Sequence, residues 1–165
     1  MMLDKWGSFK WSSLGYSFVD NNLPFNDSDS LWVIKHDSVS LTSVASNFQS
    51  VTLNFSFNNA PLSVTFVYAF NLYIRRRDLW RNLVDISNNM MNRLILIRDF
   101  NTVLRPEEKT GQIFCRASAQ DLSVFIEKCG LIELPISRTE FTWMRYTKNG
   151  RQASKLDRCF VQVDD

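Results

Sequence analysis

The segment Leu94-Ile95-Leu96-Ile97-Arg98-Asp99-Phe100-Asn101 decides the fold of this chain. A short run of branched apolar residues that ends abruptly in polar residues is typical of a buried strand. Open α/β sheets place their sites at the carboxyl ends of such strands. One interpretation of Asp99 and Asn101 is an Asx-type turn that ends the strand. The other is a pair of site residues projecting to the same side of extended backbone. The acid would then accept a proton or hold a metal, and the amide would stabilise an oxyanion.

The segments around this strand predict a single mixed α/β (α+β) domain. Helical spacing of apolar residues predicts one helix over 76–91 and another over 118–129. Ser118 is the predicted N-cap of the second helix, and Gly130 follows its last turn. A turn at Lys148-Asn149-Gly150 is predicted to join the last two strands as a hairpin. The predicted strands before residue 94 form an antiparallel meander with a turn at 58–61. All the predicted strands other than the opening one are 31–36, 39–45, 48–57, 62–70, 141–146 and 155–163.

Composition limits the class of protein. The chain has 165 residues, of which 45% are hydrophobic and 22% charged, and this is typical of one folded domain. We divide it into a weakly patterned N-terminal segment, 1–30, and a domain, 31–165. The net charge of +2 is too small to argue for nucleic-acid binding. Three cysteines without CxxC spacing do not support a zinc or redox site. Their odd number, without a signal peptide, predicts reduced thiols and an intracellular location.

Polar residues follow several of the predicted strands. Tyr68 and Asn71 come after one strand, Asp99 and Asn101 after another, and Asp157 stands at the start of the last strand. In this order, the surrounding segments resemble the endonuclease/exonuclease/phosphatase family, which has the DNase I-like fold. In particular they resemble the endonuclease region of plant LINE-type non-LTR retrotransposons. The matching segments are 66–71, 77–80, 98–101, 107–111, 125–135, 141–143 and 155–158.

This resemblance implies a partial DNase I-like sandwich of two sheets, with mixed, largely antiparallel strands flanked by helices. It implies that Asp99 orients or deprotonates the attacking water and that Asn101 stabilises the phosphorane transition state. Tyr68 would hydrogen-bond the scissile phosphate, Asn71 would support the same loop, and Asp157 would orient a catalytic His. The implied cofactor is Mg²⁺, the substrate is DNA, and the parent element would carry a reverse transcriptase.

Two charged segments have two interpretations each. Arg75, Arg76 and Arg77 form the only compact basic run. They either bind DNA phosphates or begin a helix in contact with solvent. Glu107-Glu108 either holds a metal or is solvated beside Lys109.

The chain departs from the family in three ways. No Glu occurs in residues 1–30 to serve as the metal ligand, and Arg98 stands where the family has Gly. The only His, His36, precedes Asp157, and no Ser-Asp-His motif follows it. We therefore expect a fragment truncated at both ends, marginally stable, with weak metal binding and hydrolysis lost.

An ion pair between Arg98 and Asp99 is expected to lower the basicity of the acid. Three functions stay open at this point. The chain is an active Mg²⁺-dependent endonuclease, an inactive remnant of one, or a module that keeps the fold and binds nucleic acid or protein.

Overall fold

The computed structural model describes residues 11–21, 31–90, 93–135 and 140–163. Within these ranges the helices are α1 (Tyr73–Asn89) and α2 (Arg116–Lys128). The strands are β1 (Tyr16–Asn21), β2 (Trp32–His36), β3 (Leu41–Ser46), β4 (Ser50–Phe57), β5 (Ala60–Tyr68), β6 (Arg93–Asp99), β7 (Lys109–Thr110), β8 (Leu131–Leu134), β9 (Trp143–Thr147), β10 (Gly150–Ser154) and β11 (Asp157–Gln162). Short 3₁₀ turns occupy Trp11–Leu14 and Pro106–Glu108.

A central sheet of six strands organises the described residues, in the order β3-β4-β5-β6-β11-β8. Strands β5 and β6 are parallel, because α1 carries the chain back between them, and the other pairs are antiparallel. The turn that joins β4 to β5 has positive φ at Asn58 (51°) and Asn59 (63°), as a type I′ hairpin requires. The predicted hairpin at this point is confirmed.

The two helices cover one face of this sheet. Leu94 and Leu96 are fully buried there, so the predicted buried strand is confirmed. The helix face packs as one apolar cluster, in which Trp80 stacks on Phe125 at a centroid distance of 5.2 Å. Its other main members are Val67, Leu79, Leu83, Phe100, Leu122 and Phe160.

The opposite face of the sheet packs against strands β1 and β2, which form a separate two-stranded sheet. Leu31 and Val33 contact Val51 and Leu53 of β4 in a second apolar cluster. The predicted meander is therefore wrong at its first strand, since β2 pairs with β1 and not with β3. The sequence did not predict β1, because its aromatic residues Tyr16 and Phe18 are exposed and the strand is defined by its pairing with β2.

Two local predictions are corrected by tertiary contacts. Helix α2 begins at Arg116 with Cys115 as its N-cap residue, and Ser118 lies inside the first turn. The Ser118 hydroxyl is used instead by Arg76 and Thr102. The last hairpin joins β9 to β10 and does not include β11, which leaves to pair with β6 and β8. Among the described residues, no helix is both long and apolar enough to cross a membrane.

Candidate functional site

A cleft of about 690 Å³ opens at the carboxyl ends of β5 and β6, beside the small sheet of β7, β9 and β10. Among the predicted site residues, the structure brings five together in its walls: Tyr68, Asn71, Arg76, Asp99 and Asn101. Other polar and aromatic residues of the walls are Tyr73, Thr102, Lys109, Gln112, Cys115, Ser118, Trp143, Arg145 and Ser154.

Strand register places three of the predicted residues side by side. Tyr68 of β5 lies opposite Asp99 of β6 in the parallel pair, and Asp157 of β11 lies opposite Asp99 in the antiparallel pair. Neighbouring strands are about 4.8 Å apart. Asp157 is not part of the cleft wall, but its negative charge acts on Asp99. A phenol and two carboxylates therefore meet at one end of the central sheet.

The environment of Asp99 raises the pKa of its carboxyl above the ordinary value. Burial is the largest influence and raises the pKa of Asp99, and the negative charge of Asp157 raises it further. The hydrogen bond from the Asn101 N–H and the charges of Arg98 and Arg76 act in the opposite direction, and the pKa is raised overall. The charge of Arg98 therefore lowers the basicity of Asp99 as expected, but desolvation outweighs it and the net shift is upward. A raised pKa brings a carboxylate closer to the range of a general base.

Asp99 and Asn101 form an Asx-type turn after β6 and are also residues of the candidate site. The Asn101 N–H donates to Oδ1 of Asp99 at 2.7 Å, which is an Asx-type turn. Asn101 has a φ of 51°, and its Nδ2 donates to the Ala69 carbonyl oxygen at 2.8 Å. Both side chains line the cleft, but a turn brings them there, because the extended backbone ends at Asp99. The amide of Asn101 thus ties the end of β6 to the end of β5.

Arg98 has a backbone conformation that suits glycine. Its φ is 98°, a region in which the Cβ of an L-residue meets the backbone, and its side chain is exposed. The motif that this chain resembles has Gly at this position, and the positive φ gives the physical reason. Conformations of this kind cost on the order of 1–3 kcal/mol.

Arg98→Gly is expected to stabilise the protein by about 1 kcal/mol, because relief of strain exceeds the entropy cost of a glycine in a strand. Urea denaturation of the variant measures this change. Arg98→Ala is the matched control, since it removes the same charge but keeps the Cβ. An equal gain in both variants would show that charge, and not backbone strain, is the cause.

The three arginines of the basic run, at the start of α1, have different environments in the structure. Arg76 is 4% exposed and reaches the cleft, whereas Arg75 and Arg77 are exposed and lie outside the cleft walls. The Arg75 guanidinium lies 5.7 Å from the ring centroid of Phe70, and Arg77 donates to Asp121 of α2 at 2.9 Å. Contact of Arg75 and Arg77 with DNA stays a prediction.

Glu108 is not solvated, although Glu107 beside it is exposed. Its carboxylate pairs with Arg158, which has no exposed surface, and accepts a hydrogen bond from the Leu104 N–H at 2.7 Å. Arg158 also donates to both carboxylate oxygens of Glu133 at 2.9 Å. We call Glu108, Glu133 and Arg158 the buried ion cluster. The sequence gives no local signal for it, because Glu108 and Arg158 are 50 residues apart.

The described residues do not fit a metal centre built from protein side chains. They contain no group of three or more His, Cys, Asp or Glu residues that could hold an ion. Asp99 and Asp157 are neighbours, but the carboxylate of Glu108 is occupied by Arg158. His36 ends β2, where its Nδ1 lies 2.7 Å from the Ser38 hydroxyl and its ring meets Tyr16 edge-on. It is not part of the cleft wall.

Sequence reasoning missed the side of the cleft that the small sheet forms. The Arg145 guanidinium lies 5.5 Å from the ring centroid of Trp143, and both residues line the cleft with Lys109 and Gln112. The signal was an aromatic and a basic residue two positions apart on a strand, where side chains share a face. An aromatic ring next to a cation suits a nucleobase and its phosphate.

Comparison with known proteins places the fold. No protein-family model matches the chain, and no relative was found among curated sequences. The endonuclease domain of TRAS1, a telomere-specific non-LTR retrotransposon, matches with a TM-score of 0.66 at 16% identity, over 91% of this chain and 68% of that one. TDP2 of D. rerio, complexed with single-strand DNA product, matches with a TM-score of 0.59 at 13% identity, over 99% and 66%. The human Nocturnin catalytic domain with bound sulfate gives 0.57 at 16%, over 96% and 65%.

These similarities establish the fold and no more. The predicted DNase I-like sandwich of mixed, largely antiparallel strands flanked by helices is confirmed. The chain spans about two thirds of the length of each of these three structures. At such low identity, the activity of these proteins does not transfer to this chain without further support.

Proposed function

We propose that this chain is a retrotransposon-derived, endonuclease-like domain of LINE type that binds a DNA phosphodiester in the cleft and has lost efficient hydrolysis. The observation that carries the proposal is the register of Tyr68, Asp99 and Asp157 on three adjacent strands, beside a cleft whose walls include the first two together with Arg76 and Asn101. The ancestral reaction would be Mg²⁺-dependent hydrolysis of DNA in an element that also encodes a reverse transcriptase.

The charges and rings of the cleft support phosphodiester binding. Lys109 and Arg145 place positive charge on the side formed by the small sheet, and Trp143 offers a ring on which a base can stack. A phosphate that lies between these residues and the ends of β5 and β6 would meet the Tyr68 side chain and the turn of Asp99 and Asn101. The phenol of Tyr68 would donate a hydrogen bond to a phosphate oxygen.

The proposed loss of efficient hydrolysis is supported by which groups the described residues bring to the cleft. Its only imidazole is on β2, outside the cleft wall, and the acids beside the phosphate site are two neighbouring aspartates. Each electrostatic group that is missing from such a site costs about 10²–10³ in rate. The raised pKa of Asp99 favours a second candidate, slow hydrolysis with this residue as the base.

Oligonucleotide binding and plasmid nicking together test the proposal. We expect a fluorescently labelled single-stranded oligonucleotide to bind, with an affinity that falls as salt rises. We expect supercoiled plasmid with Mg²⁺ to be nicked no faster by the wild type than by Asp99→Ala. Nicking that Asp99→Ala abolishes would establish an active endonuclease. Absence of binding by the wild type at low salt would refute the phosphodiester cleft and favour a protein-binding module.

A further inference from the structure

Arg76 is a buried cation whose identified hydrogen-bond acceptors are neutral oxygens. Its Nη1 donates to the carbonyl oxygen of Phe70 at 2.7 Å and to that of Asn71 at 2.9 Å. Its Nη2 donates to the Ser118 hydroxyl at 2.6 Å. The side chain lines the cleft, but it is 4% exposed, and its hydrogen bonds are made with the protein itself. The guanidinium therefore uses its identified hydrogen bonds to hold parts of the fold together.

These acceptors belong to different walls of the cleft. Phe70 and Asn71 form the loop after β5, and Ser118 lies in the first turn of α2. The Ser118 hydroxyl lies 2.6 Å from the Thr102 hydroxyl in the loop after β6, and both groups are buried. Arg76 thus connects the loop after Tyr68 to α2 directly, and to the loop after Asp99 through Ser118 and Thr102.

We propose that Arg76 is a positioning residue, which holds the loops after β5 and β6 in register so that Tyr68 and Asp99 face the same phosphodiester. This inference rests on the proposed function, and it revises the prediction that Arg76 contacts the substrate. The amide of Asn101, bonded to the Ala69 carbonyl, forms the second connection between the same loops. Both loops are therefore fixed before a ligand arrives, and binding does not have to order them.

The shape of the guanidinium explains why arginine occupies this position. Its planar fork donates in several fixed directions at once, here to two carbonyl oxygens and a hydroxyl. A lysine ammonium is a compact charge on a flexible stem and cannot reach the same oxygens from one position. Arg77, on the same helix, provides the contrast, because it also connects α1 to α2, through Asp121, but does so in solvent and outside the cleft.

The salt dependence of oligonucleotide affinity distinguishes a positioning role of Arg76 from a direct contact between Arg76 and a phosphate. If Arg76 positions the loops, Arg76→Met and Arg76→Lys both weaken binding, by about tenfold or more, with the slope of log K against log salt unchanged. If Arg76 contacts a phosphate, Arg76→Met reduces that slope by about 0.7 and Arg76→Lys restores it. The second result would overturn the proposal.

Hydrogen exchange of the protein without DNA tests the same inference independently of binding. We expect Arg76→Met and Arg76→Lys to speed amide exchange in both 69–72 and 99–104, and to leave the central sheet protected. Ser118→Ala is expected to speed exchange in 99–104 alone, because it removes the hydroxyl that links Arg76 to Thr102 but keeps the bonds of Arg76 to the Phe70 and Asn71 carbonyl oxygens. Arg77→Met is the matched control and should leave both loops unchanged.

The binding test and the exchange test distinguish failure of the proposed function from failure of the positioning role of Arg76. Wild-type protein that binds no oligonucleotide refutes the proposed function, and exchange then still decides whether Arg76 fixes the loops. Unchanged exchange in both loops of the Arg76 variants overturns the positioning role. Faster exchange throughout the sheet overturns it as well, because Arg76 would then stabilise the whole fold and not the cleft.

Discussion

Replacing Arg158 with Met is expected to lower the free energy of unfolding by about 3–5 kcal/mol, because it leaves a buried carboxylate without its counter-ion. Arg158 has no exposed surface, and its partner Glu108 is 7% exposed. Water cannot replace the lost guanidinium at such a position. The buried ion cluster joins the loop before β7, strand β8 and strand β11, so its loss affects three elements at once.

Chemical denaturation at neutral pH measures this loss, and Arg105→Met is the matched control. Arg105 also pairs with Glu108, at 3.8 Å, but its side chain is 73% exposed. The control should therefore cost less than about 1 kcal/mol. Replacing Glu108 with Gln in the Arg158→Met background should recover part of the stability, since the uncompensated charge is then gone. Similar losses in Arg158→Met and Arg105→Met would contradict a specific role for burial.

The buried ion cluster also predicts how stability responds to acid. Burial is the largest single influence on Glu108 and raises its pKa, but the hydrogen bond and charge of Arg158, with the Leu104 and Arg105 N–H groups, outweigh it. The pKa of Glu108 is therefore lowered from its ordinary value of 4.5. Its stabilising contribution is complete above that value and is lost as the pH falls through the lowered pKa of the folded state.

The second large effect is expected at Phe100, between the two polar residues of the motif. Phe100→Ala should lower the free energy of unfolding by about 3–5 kcal/mol, because it opens a cavity in the core. The ring is fully buried, stacked on Trp80 at a centroid distance of 6.3 Å and edge-on to Phe160 at 5.0 Å. Its N–H also donates to the Leu156 carbonyl oxygen, next to Asp157.

Thermal and urea denaturation of Phe100→Ala measure this cost, and Phe57→Ala is the control. Phe57 is 62% exposed at the end of β4, so its truncation should cost about 0.5 kcal/mol or less. Phe100→Leu fills part of the cavity and should fall between the two. A loss below 1 kcal/mol for Phe100→Ala would mean that the turn of Asp99 and Asn101 is not anchored by the core.

Local patterns predicted the elements whose burial is visible in their own residues. The apolar run of 94–97 predicted β6, and the Asn58-Asn59 pair predicted the hairpin of β4 and β5, because both signals are local. Strand β10 was missed, since Gly150–Ser154 is mostly polar and is defined by pairing with β7 and β9. The buried ion cluster was missed for a related reason, because its charges meet only when β11 enters the sheet.

The candidate site was predicted as a set of residue types and not as a geometry. Resemblance to a family pointed to Tyr68, Asp99 and Asp157, and the register of β5, β6 and β11 then placed them side by side. Helical spacing puts Arg76 on the buried face of Leu79, Trp80 and Leu83, but its hydrogen bonds to the loop after β5 and to α2 are tertiary and have no local signal. The positive φ of Arg98 is equally hidden, because only the folded strand requires it.

The order of strands in the central sheet has a consequence for how the chain folds. Strand β11 lies between β6 and β8, although both precede it in the sequence. Until β11 arrives, a growing chain therefore presents β6 with an unsatisfied edge and β8 without its partner in the central sheet. Contacts across such long stretches of chain close slowly, so docking of β11 is expected to be a late kinetic step. Asp157 and Arg158 arrive with it, so Asp99 and Glu108 gain these charged neighbours only after β11 has docked.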